Sequence, residues 1–253
     1  AEHGECSYMG GYCGVGSNED CAKSKACSVE GRCSYDGWGC SATSADDCAA
    51  SANCLLVGNC TLFSSMCLPG SKDDCAGSLA CAQQGLCDYE MNMCIAGDSN
   101  SCLASTGCEL FGACSLKPAL EPWDPNFCEA GSDEDCQGAQ VCTQSGACTA
   151  LEGMCTATHE ADCEASSGCL EDGDCVLLGA VCVPSQASCE ASTGCAEEGR
   201  CSHHEAYDVC AALTDADCEG SEICLSQAMC SALVDCGDDA SCQIWGQCVE
   251  VAE

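Results

Sequence analysis

Cysteine is the residue whose type and spacing promise chemistry in this chain. The stretch from Ser71 to Cys94, SKDDCAGSLACAQQGLCDYEMNMC, holds Cys75, Cys81, Cys87 and Cys94, and close variants of it recur along most of the 253 residues. Three chemistries use cysteine at this density: metal ligation by thiolates, thiol–disulfide exchange, and structural cross-linking. Metal sites draw on thiolates that converge over Cys-x-Cys or Cys-x-x-Cys spacings. Here the closest neighbours are six positions apart. That spacing argues against metallothionein-like, zinc-ribbon and iron–sulfur sites. It also leaves no Cys-x-x-Cys for exchange and no Cys-x-x-Cys-His for haem attachment. Cross-linking is the chemistry that fits.

The composition asks for the same thing. There are 36 cysteines, but only three Phe, three Trp and five Tyr. So little bulky apolar material cannot fill an ordinary core, and disulfides must substitute for burial. Disulfides on this scale persist in oxidising compartments, which implies an extracellular protein, secreted or on the cell surface. The opening AEHGEC fits a mature chain after removal of a signal peptide. The sequence contains no apolar run of membrane-spanning length, so no membrane span is expected. Net charge is −35, from 41 acidic and six basic residues. Nucleic acid is therefore excluded as a partner, because binding it requires Lys and Arg to neutralise phosphates.

The elements that must position the cysteines repeat. From Cys6 to Cys248 the chain divides into nine sets of four, which uses all 36. The usual period is 27 residues, and one unit carries an insertion, Ser115 to Phe127, whose prolines mark a loop. In the second half of eight of the nine units a cap-type residue stands four before the first cysteine: Ser17, Ser44, Ser71, Asp98, Ser132, Ser185, Thr214 and Asp238; His159 departs, with Thr158 beside it. Asp often directly precedes that cysteine (Asp20, Asp47, Asp74, Asp135, Asp162, Asp217), in the manner of a capping box. A glycine follows the second cysteine by four, at Gly31, Gly58, Gly85, Gly112, Gly146, Gly173 and Gly199, where a left-handed stop belongs. Cap to stop predicts one helix of about three turns. The first half of each unit predicts a hairpin: in CSYDGWGC an Asp36-Gly37 turn would pair Tyr35 with Trp38 and Cys33 with Cys40.

The expected fold is therefore α+β, small and disulfide-rich: a tandem-repeat solenoid of β-hairpin plus short capped helix, in one continuous array over 1–253. Hairpin-first units fall at about 1–31, 32–58, 59–85, 86–112, 113–146, 147–173, 174–199, 200–228 and 229–253. A single unit cannot bury a face, whereas stacked units can. The structural disulfide candidates are Cys13, Cys21, Cys27, Cys33, Cys40, Cys48, Cys54 and Cys60, with their counterparts downstream. Two connectivities suit this geometry. One joins Cys13 to Cys21 and Cys27 to Cys33, and so on along the chain, leaving Cys6 and Cys248 free. The other closes bonds within each hairpin-first set and leaves nothing over. Cys6 and Cys248 are thus inter-subunit candidates, together with Trp123 on the insertion; Trp38 and Trp245 are further aromatics suited to a subunit contact.

Other motifs have plainer readings. Asp-x-Asp runs at Asp133–Asp135, Asp172–Asp174 and Asp215–Asp217 lack the alternating ligands, turn glycine and closing Glu of a calcium loop, so no cofactor is expected beyond diffuse, weak Ca2+ binding. His3, His159, His203 and His204 are scattered, and Asn59-Cys60-Thr61 is a formal but poor glycosylation sequon. The serine three past the first helical cysteine (Ser24, Ser51, Ser78, Ser105, Ser166, Ser192, Ser221) has no repeated base partner, and fits a tight helix–hairpin contact. No Gly-x-Ser-x-Gly, phosphate loop or His-Glu-x-x-His occurs, so no enzyme is expected.

Written out, the repeat Asp-Cys-x-x-Ser-x-x-Cys-x-x-x-Gly-x-Cys, as in DCAKSKACSVEGRC, resembles cysteine-rich tandem repeats of predicted secreted proteins and lipoproteins of myxobacteria and related bacteria. The likeness runs from Asp20 onward and departs at Ala228, which replaces the glycine, and in the last helix, which lacks the serine. It implies an exported bacterial protein and no activity. A weaker likeness is to insect antifreeze β-helices, whose Thr-x-Thr rows are missing here. Two functions follow as expectations. The first is an extracellular structural protein that assembles head to tail with itself into a filament; the second is a monomeric, acidic binding module for adhesion or divalent cations.

Overall fold

The computed structural model describes residues 7–9, 12–119, 124–232, 244, 246 and 248–249. Its motif is set by the first elements. Hairpin β1 (Ser7–Met9) and β2 (Tyr12–Gly14) is followed by α1 (Asn18–Ala22) and α2 (Lys25–Glu30), then by hairpin β3 (Ser34–Tyr35) and β4 (Cys40–Ser41). The order continues with α3 (Ala45–Ala49), α4 (Ala52–Val57), β5 (Thr61–Phe63), β6 (Met66–Leu68), α5 (Lys72–Ala76), α6 (Leu79–Gln84), β7 (Asp88–Glu90) and β8 (Met93–Ile95). Every sheet among the described residues is a two-stranded antiparallel pair. The fold is the expected small, disulfide-rich α+β repeat.

The helical half is a pair of short helices rather than one of three turns. Ser24 divides them: its backbone is extended, at φ −85° and ψ 158°. Its Oγ donates to Cys21 O at 2.7 Å and accepts from Cys27 N at 3.1 Å. The buried serine thus closes one helix and N-caps the next, which corrects its reading as a helix–hairpin spacer. Ser51, Ser78, Ser105, Ser166, Ser192 and Ser221 make the same two bonds and are likewise buried. Ala139 holds this place in one repeat and offers no side-chain cap.

The turn falls one residue later than Asp36-Gly37, which moves the cross-strand pairing by two residues. Tyr35 faces Cys40, Ser34 faces Ser41, and Asp36 N donates to Gly39 O. The two hairpin cysteines therefore do not face each other. Cys40 sits within the pairing, while Cys33 stands just before its strand and hooks back to the helix.

By contacts the chain divides into two compact units, Ala1–Glu109 with Ala113–Gly131, and Leu110–Gly112 with Ser132–Glu253. Within each, the second helices of successive repeats pack side by side, as α2 does on α4 and α4 on α6. The core is made largely of the cross-links. Cys21, Cys48, Cys75, Cys102, Cys136, Cys163, Cys189 and Cys218 are fully buried, joined by small residues such as Ala42 and Ala96. Among the described residues no helix is long and apolar enough to cross a membrane.

Candidate functional site: the disulfide-closed repeat and its joint

Sixteen disulfides occur among the described residues, in two alternating kinds. A long bond ties the first helical cysteine to the second hairpin cysteine, as in Cys21–Cys40, Cys48–Cys67 and Cys75–Cys94, each at a sequence separation of 19. A short bond ties the second helical cysteine to the first hairpin cysteine, as in Cys27–Cys33, Cys54–Cys60 and Cys81–Cys87, each at a separation of 6. The insertion lengthens only one long loop, Cys102–Cys128, to 26. Closing a loop of about 20 residues stabilises a fold by roughly 3 kcal/mol in the chain-entropy account.

This pattern settles the connectivity for these residues. Joining Cys27 to Cys33 was one half of the first scheme, and it holds. The other half, bonds of the Cys13–Cys21 type, does not: Cys21 bonds Cys40. The hairpin instead lies back on the helix pair that precedes it, with the Cα atoms of Cys21 and Cys40 5.4 Å apart. The closed set of four therefore runs helix pair first and hairpin second, and straddles the hairpin-first boundaries. The stretch from Ser71 to Cys94 is one such closed set. Cys248 bonds Cys218, which removes it as a free thiol for a second chain. Cys6, Trp123 and Trp245 lie outside the described residues, as do the side chain of Cys13 and residues Cys236 and Cys242.

What joins one closed set to the next is a glycine contact and a carboxylate clasp. Gly31 ends α2 in the left-handed region at φ 71°. A Cβ there would lie 2.7 Å from Cys67 Sγ and 2.8 Å from Asp47 O, both in the following repeat. Gly58 meets Cys94 and Asp74 in the same way. Glycine is thus needed twice at one position, for its φ and for the approach of the neighbour.

The clasp is the aspartate before the first helical cysteine. Asp74 Oδ2 accepts from Thr61 Oγ1 of the preceding hairpin at 2.9 Å and from Gly70 N at 2.7 Å. Asp20 does the same with Ser7 and Gly16, at 2.6 and 2.9 Å. The Ser7 hydroxyl, and then the Gly16 N–H, hold the Asp20 carboxyl below the usual carboxylate range. Asp217 accepts from Ser202 Oγ, Leu213 N and both donors of Thr214. A reciprocal capping box is formed at Thr214–Asp217 and at Ser185–Ser188. At Asp20 and Asp74 the carboxylate serves the joint instead. The first residues of the Asp-x-Asp runs have a job too: Asp133 accepts from Ala150 N and Asp215 from Ala232 N, each fixing its own repeat's hairpin at 2.9 Å. Hydrogen bonds between neighbouring hairpins, such as Ala42 N to Ser65 O at 3.1 Å, complete the contact.

Between repeats run shallow grooves. One, of about 570 Å3, is lined by Asp172, Glu198, Arg200, Ile223, Gln227 and Met229 among others. Arg200 is paired with Asp172 at 3.0 Å and Glu198 at 2.7 Å. Beside them Asp174 is half-buried, and its carboxyl is pushed up to about 6 by desolvation and by Asp172, against the pull of Arg200. Arg32 occupies the matching place in another groove, with Glu30 at 3.1 Å.

The remaining candidates are scattered. His159 starts a helix without a side-chain cap bond. His203 Nε2 lies 3.5 Å from Asp208 Oδ1 with no hydrogen-bond partner, and the His204 ring lies 4.9 Å from that of Tyr207. Among the described residues no three His, Cys, Asp or Glu side chains are grouped to hold a metal ion. Asn59 is partly buried in the groove beside Arg32. Trp38 is 98% exposed, thrust out by a turn in which Asp36 accepts from Trp38 N and Gly39 N.

Comparison with known protein families, with curated proteins and with solved structures finds no match to this chain.

Proposed function

We propose that this is an extracellular structural protein, a disulfide-stapled repeat whose copies associate head to tail. The reading is supported above all by the joint. The same glycine contact recurs from Gly31 to Gly199, always against the disulfide of the following repeat. One repeat thus packs on the next through a contact repeated along the chain, and head-to-tail association would extend that packing into a second copy. A heterologous contact of that kind builds a filament when its rotation does not close into a ring. The resemblance to exported bacterial repeats agrees with the setting.

The binding-module reading has less behind it, because the carboxylates that would take a cation are engaged. Asp20, Asp74 and Asp217 accept from hydroxyl and backbone donors, and Asp172 from Arg200.

Charge tells how assembly is to be observed. A net charge of −35 makes copies repel, so association strengthens as salt screens it. The test is light scattering of the native protein across a salt series, paired with gels run with and without reductant. Growth with salt supports self-association; a monomer at every salt concentration overturns it. A ladder that collapses to the 25.7 kDa chain on reduction supports inter-chain disulfides, and a single band in both lanes removes them while leaving non-covalent assembly to the scattering.

A further inference from the structure

Four of the six methionines, Met66, Met91, Met93 and Met154, stand at hairpin tips with 55%, 61%, 39% and 64% of their surface exposed. We propose that these thioethers form an oxidant-accepting modification site, each taking one oxygen atom from a hydroperoxide. The placement is specific to the fold. Met66 and Met93 open the returning strands of their hairpins and lie opposite Phe63 and Glu90; Met154 does so opposite Leu151. Met91 sits in a turn at φ 46°.

The residue after each of these strand methionines is a cysteine: Cys67, Cys94 and Cys155. Successive strand side chains point to opposite faces. The cysteine therefore turns inward to its disulfide while the thioether turns outward. Packing does not require methionine there, since Phe127 and Val181 fill the same position in other repeats and are also exposed. The paired cysteines are already oxidised, so the thioethers are the reducing sulfurs left among those described side chains. They are separated from the cross-links by the thickness of a strand.

The step is oxygen-atom transfer. A sulfur lone pair attacks the distal peroxide oxygen, the O–O bond breaks, and an S–O bond forms. Sulfur loses two electrons to become a sulfoxide, and hydrogen peroxide is reduced to water. Each event replaces an apolar group by a polar one. In the first compact unit it does so beside Phe63, itself 53% exposed. The hairpin edge there changes from apolar to polar without loss of a disulfide.

Met229 supplies an internal control, because it packs against Ala212, Cys218, Ala232 and Cys248. The experiment treats the native full-length protein with hydrogen peroxide and maps peptides over time, alongside retention on a hydrophobic column. The four tip methionines should react at close to the rate of free methionine, and the partly buried Met229 measurably more slowly. Retention should fall, recover with a methionine sulfoxide reductase, and stay constant in a variant carrying Met66→Leu, Met91→Leu, Met93→Leu and Met154→Leu. Oxidation of Met229 in step with the tips, protection of the tips, or unchanged retention would each overturn the assignment.

Discussion

Seven repeats end their second helix on a buried glycine, and one ends on an exposed alanine. Gly31, Gly58, Gly85, Gly112, Gly146, Gly173 and Gly199 are each pressed by backbone and disulfide sulfur of a following repeat. Ala228 adopts the same left-handed conformation at φ 60° and is solvent-exposed. The helix stop alone tolerates a Cβ, at the modest cost of a left-handed non-glycine residue. Where a neighbour also packs on the stop, that tolerance ends. The difference separates two demands that coincide elsewhere, and identifies the glycine as part of the joint between repeats.

The largest test of this division is Gly58→Ala. Its Cβ would lie 2.8 Å from Asp74 O and 2.9 Å from Cys94 Sγ. Left-handed strain and overpacking together should cost about 3 kcal/mol, read by guanidinium unfolding with the disulfides intact. A cost of only about 1 kcal/mol, the conformational part alone, would show that the neighbour's approach is soft.

Next in size is the serine between the two helices. Ser78→Ala removes a buried hydroxyl that donates to Cys75 O at 2.7 Å and accepts from Cys81 N at 3.2 Å. It should cost about 1–2 kcal/mol. The reverse change has a natural site: Ala139→Ser restores the missing cap and should stabilise by about 1 kcal/mol. Equal and opposite shifts would make the cap a local property of each repeat. A loss from Ala139→Ser would mean that this repeat has repacked around alanine.

Smaller again is Ala228→Gly. It relieves the left-handed strain but loosens the unfolded chain, for a net gain of about 0.5–1 kcal/mol. The sign matters more than the size. Loss of stability in the same unfolding measurement would mean that the methyl group of Ala228 makes a contact in solution, and the comparison with the seven glycines would fail.

The parts of this molecule that could be read from sequence are those fixed by a residue's own backbone chemistry. Ser17, Ser44 and Ser71 cap, and Gly31, Gly58 and Gly85 stop, where local rules put them. Ser24 carried a readable signal that went to the wrong use, since an N-cap residue inside an apparently continuous helix is itself a reason to divide it. The hairpin register was harder. An Asp-Gly pair offers a turn at Asp36-Gly37, but the observed turn falls one residue later and moves the pairing by two, a slip that keeps each side chain on its own face and so leaves no mark in the alternation of residue types. The role of the joint was not readable at all. An aspartate three past the cap suits a capping box locally, and only the presence of Thr61 of the preceding hairpin within reach turns Asp74 into a clasp.

The smallest expected effect concerns what the joint does to a charge. Asp174 directly follows the buried Gly173, as Met229 follows Ala228. Its carboxyl is raised to about 6 by desolvation first and by Asp172 second. A carboxylic acid with a folded pKa above its unfolded value of about 3.9 favours the fold while protonated. Its contribution is therefore complete below about pH 4 and is lost as the pH rises through about 6. Asp174→Asn keeps the neutral form at every pH. It should match the parent protein at pH 4 and exceed it at pH 7 by roughly half a kcal/mol, after allowance for solvent screening of a half-buried group. Melting curves at the two pH values measure this directly. Parallel behaviour across the range would show that water reaches Asp174 freely, and that a joint tight enough to exclude a methyl group at Gly173 does not dry the residue beside it.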